Sequence, residues 1–154
     1  MLDRKYLFRY YGPKDFPSKV QEFETQFAAR TGAKFCLAVN SCTSALHLAM
    51  DAVGVKTGDR VFVPTMTFTA SAEVVRYLGA DVKLVDIDPA TLNIDPAAVE
   101  EAVSSRTKAI VPVHYAGLAA DMPALLELAA DCDLKVVEDA AHALPATCGG
   151  QLIG

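Results

Sequence analysis

Lys135-Val136-Val137-Glu138-Asp139-Ala140-Ala141-His142 is the stretch that decides how this chain is read. A short apolar run reads as a buried strand, and it stops on acids. Two alanines follow, then a histidine three positions after Asp139. A carboxylate at the carboxyl end of a buried strand stands where open α/β sheets bind ligands. Burying that charge is costly unless it meets a cation or several donors. What Asp139 meets is therefore the question put to the rest of the chain.

The chain has 154 residues, 52% of them hydrophobic and 21% charged, with a net charge of −5. That is the size of one domain, and such a domain buries about 68–70% of its unfolded surface. The mild acidity argues against a nucleic-acid partner, because the 14 lysines and arginines are scattered rather than massed. No apolar run is long enough to span a membrane, and Met1-Leu2-Asp3-Arg4-Lys5 does not lead into a signal-peptide core. Cys36, Cys42, Cys132 and Cys148 form no C-x-x-C pair and no metal-like spacing with histidine. Reduced thiols in a cytoplasmic protein are the expectation.

Outward from Asp139, strand and helix signals alternate. Residues 1–17 read as irregular, broken by Gly12-Pro13 and Pro17. Ser18 caps a helix carrying Val20, Phe23 and Phe27, and Gly32 ends it. Strands are expected over Phe35–Val39, Val61–Val63, Val82–Val85, Ala109–Val113 and Val136–Glu138. Helices are expected from Ser44 to before Gly54, from Phe68 to Leu78 before Gly79, from Pro96 through Val103, and from Asp121 to Cys132. Five strands alternating with helices imply an α/β fold of right-handed parallel βαβ units.

Three groups of residues could carry chemistry, all at strand carboxyl ends. Asn40-Ser41-Cys42-Thr43-Ser44 joins a strand to a helix; its amides could hold phosphate, or its hydroxyls could simply cap the helix. It has neither the dinucleotide glycine pattern nor the Walker lysine. In Pro64-Thr65-Met66-Thr67-Phe68-Thr69-Ala70, Phe68 could stack on a flat ring or plug the helix against the sheet. Asp139 could hold a protonated ring nitrogen or cap the next turn, with His142 a ligand neighbour or a core histidine. His114-Tyr115 is a weaker pair, and His47 reads as structural. An anion site, an aromatic plate and a buried acid on one rim describe a receptor for a phosphorylated, protonated heteroaromatic ring. Pyridoxal 5'-phosphate is such a molecule.

The blocks V-Q-E-F-E-T-Q-F-A-A-R-T-G-A-K, A-V-N-S-C-T-S-A-L-H-L-A, G-D-R-V-F-V-P-T-M-T-F-T-A-S-A, V-D-I-D-P-A-T-L-N-I-D-P, T-K-A-I-V-P-V-H-Y-A-G and V-V-E-D-A-A-H-A occur in order. With them the chain resembles the DegT/StrS-type sugar aminotransferases, fold type I pyridoxal-phosphate enzymes, from about residue 18 to 154. The resemblance implies a three-layer αβα large domain of the aspartate aminotransferase type, with a mostly parallel sheet. It implies Thr43 and Ser44 on the cofactor phosphate, Phe68 stacked on the ring, Asp139 on the ring nitrogen and His142 beside the ring hydroxyl. It further implies amino transfer from glutamate or glutamine to a keto sugar or keto cyclitol, by a homodimer.

Two departures stand out. Cys42 occupies a position where the family usually has glycine, which would strain the loop if positive φ were needed there. The eight lysines (Lys5, Lys14, Lys19, Lys34, Lys56, Lys83, Lys108 and Lys135) all fall in blocks that align elsewhere than the Schiff-base lysine. In the family that lysine, or the histidine replacing it in a dehydratase branch, lies beyond the segment that ends here. The chain is thus expected to be an N-terminal portion of the large domain, inactive alone. The partner of strand 35–39 in fold type I is the last strand of the sheet. Four strands are therefore expected to form a continuous sheet, with 35–39 unpaired and the chain poorly stable unless it repacks or is complemented. Two other readings stay open: a fragment serving as a binding or assembly module, and an unrelated Rossmann-like nucleotide-binding domain.

Overall fold

The computed structural model describes residues 18–154, so the irregular segment expected over 1–17 lies outside the described residues. The chain divides into two compact units, Met1–Asn40 and Ser41–Gly154.

In the first unit, helix α1 (Lys19–Thr31) starts and stops where the sequence signals it. Ser18 accepts from the Gln21 amide while the Gln21 side chain accepts from the Ser18 amide, a reciprocal box that satisfies two first-turn donors. Gly32, at φ 76°, ends the helix in the left-handed region where a side chain would be strained. The strand expected over Phe35–Val39 is absent: these residues belong to no ladder. Phe35 is 82% exposed and Leu37 60%. The Ala38 amide donates instead to the Glu24 carboxylate, at 2.9 Å. An apolar run makes a strand only when a neighbour takes its ladder hydrogen bonds, and among the described residues this one has no such neighbour.

The second unit is built on four parallel strands: β1 (Arg60–Pro64), β2 (Asp81–Val85), β3 (Thr107–Ile110) and β4 (Lys135–Val136), in the order β2-β1-β3-β4. This is the continuous four-stranded sheet expected from the sequence. Helices α2 (Cys42–Ala52) and α3 (Ala70–Tyr77) cover one face, and α4 (Pro96–Ala102) and α5 (Met122–Asp131) the other. The pleat sorts the two cores. Val61 and Val63 of β1 pack with Leu46, Met50, Val74 and Val75, while Phe62 between them packs with Val99, Ile110 and Leu125. The result is the three-layer αβα arrangement with a mostly parallel sheet. Among the described residues no helix is long and apolar enough to cross a membrane.

At the carboxyl edge the chains run on past the regular strands. The Val137 amide donates to Ile110, the Asp139 amide to Pro112 and the His114 amide to Asp139, extending the β3–β4 ladder to Asp139. Not expected from the sequence are β5 (Thr147–Cys148) and β6 (Gln151–Leu152), which pair as an antiparallel hairpin, and the 3-10 turn Tyr115–Gly117. The hairpin's turn is Gly149-Gly150, both at positive φ, a two-residue hairpin signal present in the sequence.

Candidate functional site

Asp139 is buried, 5% exposed, at the end of the extended ladder. Its carboxylate faces donors. Ser71 donates from Oγ to Oδ2 at 2.8 Å, the Ala141 amide donates to Oδ1 at 3.2 Å, and the Cys42 thiol lies 3.9 Å from Oδ1. Each donor comes from a different segment: the first turn of α3, the turn after β4 and the first residue of α2. Among the described residues no lysine, arginine or histidine forms an ion pair with Asp139.

The α2 start holds Thr43 and Ser44, both partly buried. Ser41 is the cap: its Oγ accepts from the Ser44 amide at 3.1 Å and lies 3.0 Å from Ser44 Oγ. Capping and anion binding are compatible here. Helix geometry still leaves the amides of Cys42 and Thr43 without helical acceptors, and the positive end of the helix points the same way. Cys42 sits in the helix without a positive φ, so the position that glycine usually fills in the family carries no backbone strain here. The Cys42 thiol is pushed above its ordinary pKa, first by burial and then by the charge and hydrogen bond of Asp139.

Phe68 lies in the loop between β1 and α3 and is 77% exposed, so it does not plug the helix against the sheet. The same loop carries Thr67, whose Oγ1 is 2.8 Å from Ser71 Oγ. Thus the segments bearing Thr43, Phe68 and Asp139 converge, through Cys42, Thr67 and Ser71, on one carboxylate. His142 is exposed, in the turn after Asp139; its Nδ1 accepts the Ala116 amide at 3.3 Å and its ring meets the Tyr115 ring edge-on, centroids 6.2 Å apart. It is not a core histidine.

That description belongs to His114, which is fully buried. Its Nδ1 accepts the Ala120 amide at 3.2 Å and its Nε2 is 2.8 Å from Glu138 Oε2, so the ring donates from Nε2. His47 makes an edge contact with Tyr77, as a structural residue would. Ser71 and Thr67 carry no distinct mark in the sequence as site residues, although both lie in the block that holds Phe68. A hydroxyl in the first helical turn after the strand two places from the acid's own was the available signal.

The residues fit the cofactor in donor chemistry. An ionised carboxylate offers about four lone-pair sites, and three donors, one of them a distant thiol, leave room for a ring N–H. The exposed aromatic and the helix start provide a plate and an anion-attracting end beside it.

The DegT/DnrJ/EryC1/StrS aminotransferase family model matches residues 15–154. The chain is 50% identical over 136 residues to the spore coat polysaccharide biosynthesis protein SpsC of Bacillus subtilis, covering 88% of this chain and 35% of that protein. The crystal structure of 3-amino-5-hydroxybenzoic acid synthase superposes with a TM-score of 0.85 at 48% identity, over 88% of this chain and 35% of the other. A Bacillus subtilis structure described as NtdA with bound cofactor PMP gives a TM-score of 0.83 at 34% identity, over 91% and 31%. The chain therefore spans about a third of the length of the relatives it matches. It belongs to the DegT/DnrJ/EryC1/StrS aminotransferase family.

Proposed function

We propose that residues 18–154 are an N-terminal portion of the large domain of a cytoplasmic, homodimeric, pyridoxal-phosphate-dependent aminotransferase. Its reaction moves an amino group from glutamate or glutamine to a keto sugar or keto cyclitol. The reading is carried by Asp139, a buried carboxylate met by donors and, among the described residues, by no cation, at the meeting point of the α2 start and the β1–α3 loop. The similarity to a polysaccharide-biosynthesis protein and to a structure holding PMP supports the substrate class and the cofactor.

Pyridoxal phosphate, when bound, supplies a protonated ring that draws electrons from a carbanion formed beside it. The work of this chain is to hold it. Asp139 accepts the ring N–H in a charge-assisted hydrogen bond, which keeps the proton on that nitrogen. Thr43 and Ser44 offer hydroxyls to the phosphate at the positive end of α2. Phe68 covers one face of the ring, excluding water from it. His142 sits beside the ring hydroxyl.

The lysine that would bond the aldehyde is a separate matter. In the second unit Lys108 and Lys135 lie at the starts of β3 and β4, the opposite ends of those strands from Asp139, Lys83 is at the middle of β2, and Lys56 precedes β1. None stands at the carboxyl edge. The chain alone is accordingly expected to bind cofactor without catalysis. A role for it as a binding or assembly module draws support from the same placement, with a longer or second chain supplying the nucleophile.

Equilibrium dialysis of pyridoxal phosphate against the chain tests the reading. Asp139→Asn should weaken binding about ten- to a hundredfold, the value of a hydrogen bond to a charged group. Borohydride should fix no cofactor to either chain. Equal binding by the two, or tight nicotinamide-dinucleotide binding instead, would sink the cofactor pocket.

A further inference from the structure

The carboxylate of Asp139 is gripped by a hydroxyl pair whose direction the chemistry determines. An ionised carboxylate only accepts, so the single Ser71 proton goes to Oδ2, 2.8 Å away. With that proton committed, the 2.8 Å contact between Thr67 Oγ1 and Ser71 Oγ must be Thr67 donating. The relay runs Thr67 to Ser71 to Asp139, from the loop after β1, through the first turn of α3, to the acid.

We propose that Ser71, oriented by Thr67, is a positioning residue that aims the Asp139 carboxylate at the ring nitrogen of the cofactor; this rests on the pyridoxal-phosphate reading above. Two fixed points define a carboxylate plane. The Ala141 amide holds Oδ1 from the turn that follows Asp139 itself, so it moves with the acid's own backbone. Ser71 holds Oδ2 from another element, and it is completely buried, on a helix packed against the sheet. Without Ser71 the carboxylate can turn about its last torsion, since Cys42 at 3.9 Å is a weak restraint. Binding geometry of this kind depends on supporting hydrogen bonds that lock the group touching the ligand. The relay also spans the loop carrying Phe68, so the piece that would cover the ring and the piece that would meet its nitrogen share one hydrogen-bonded frame.

The test uses two probes: pyridoxal phosphate, and its analogue with the ring nitrogen replaced by C–H. A residue acting through Asp139 on the nitrogen matters for the first and not for the second, whereas a general loss of structure weakens both. Dissociation constants are measured for the wild-type chain, Ser71→Ala, Ser71→Thr, Thr67→Val and Asp139→Asn. Ser71→Ala should bind pyridoxal phosphate about tenfold more weakly and the analogue within about twofold of wild type. Thr67→Val should show the same selectivity at about threefold, and Ser71→Thr, which keeps the hydroxyl, should restore binding. Suppose Asp139→Asn shows the selective loss while Ser71→Ala and Thr67→Val bind as wild type does, or lose both probes alike. The positioning role is then overturned and the cofactor pocket stands. Suppose instead that Asp139→Asn shows no selective loss, or that the wild-type chain binds neither probe. The cofactor reading then fails and this inference falls with it.

Discussion

At Cys42 burial and the Asp139 carboxylate, 3.9 Å away, act in one direction, holding the proton on sulfur. Thiolate is the reactive form, so a raised pKa means a smaller reactive fraction at any pH below it. Alkylation of Cys42 by iodoacetamide at pH 8 should therefore be slower than that of Cys132, which is exposed as Cys42 is, in the same sample, read by peptide mass spectrometry. Asp139→Asn removes the charge but leaves the burial, and should speed Cys42 alkylation roughly severalfold. An unchanged or lower rate in that variant would show that Asp139 does not set the behaviour of the thiol. Ala116 is a second residue with a local cost. It adopts φ 51°, ψ 24°, the left-handed region, in the 3-10 turn Tyr115–Gly117, and its amide donates to His142. A side chain there costs roughly 1–2 kcal/mol, part of which glycine returns in unfolded-state entropy. Ala116→Gly is expected to raise stability by up to about 1 kcal/mol in urea unfolding. A destabilised variant would place the strain elsewhere.

At the scale of elements, the turns between α3 and β2 carry a sharper test. Gly79 follows α3 at φ 74°, and a Cβ built there would stand 2.5 Å from Thr57 Oγ1. Gly79→Ala meets two penalties at once, backbone strain and overlap, and should cost about 2–4 kcal/mol. Adding Thr57→Ala removes the overlap and not the strain, so the double variant should recover about half; additive losses in the cycle would rule out the contact as the cause. Gly79 also shows why element ends were readable from sequence: glycine after a helix, Ser18, Asp95 and Asp121 before one, and proline in the first turn each act within a few residues. Strand identity was readable where burial on both faces gives a continuous apolar run, as in Val61-Phe62-Val63. Phe35–Val39 has the same look and no ladder, because pairing depends on a neighbour far away in sequence and an apolar run does not name it. Asp139 was legible for a similar reason to the strands: an acid closing a buried run is locally anomalous. Ser71 was not, since a serine in a first helical turn is ordinary until the fold sets it against Asp139. His114 gave no sign in the sequence of its complete burial, because burial is decided by what packs over a loop.

At the scale of the whole chain, two kinds of backbone coexist. In the Ser41–Gly154 unit the central strands β1 and β3 are paired on both sides and their inward side chains are fully buried. Residues 35–39 have the composition of a core strand, but Phe35, Leu37 and Val39 are 82%, 60% and 39% exposed and the segment forms no ladder. Amide exchange separates these cases directly, since protection follows hydrogen bonding and the free energy of opening. The amides of β1 and β3 should be among the slowest in the chain, and those of 35–39 near the unprotected rate. Ala38 should be the exception within its segment, because its amide donates to the buried Glu24 carboxylate. Glu24→Ala should bring Ala38 to the rate of its neighbours and leave β1 and β3 unchanged. An exposed apolar run with free ladder groups also invites pairing between chains, so protection of 35–39 that rises with protein concentration would mark self-association through that edge. Strong protection of 35–39 at low concentration, in a monodisperse monomer, would mean the segment has found a neighbour within its own chain. Residues 35–39 would then not be an apolar run left without a pairing partner.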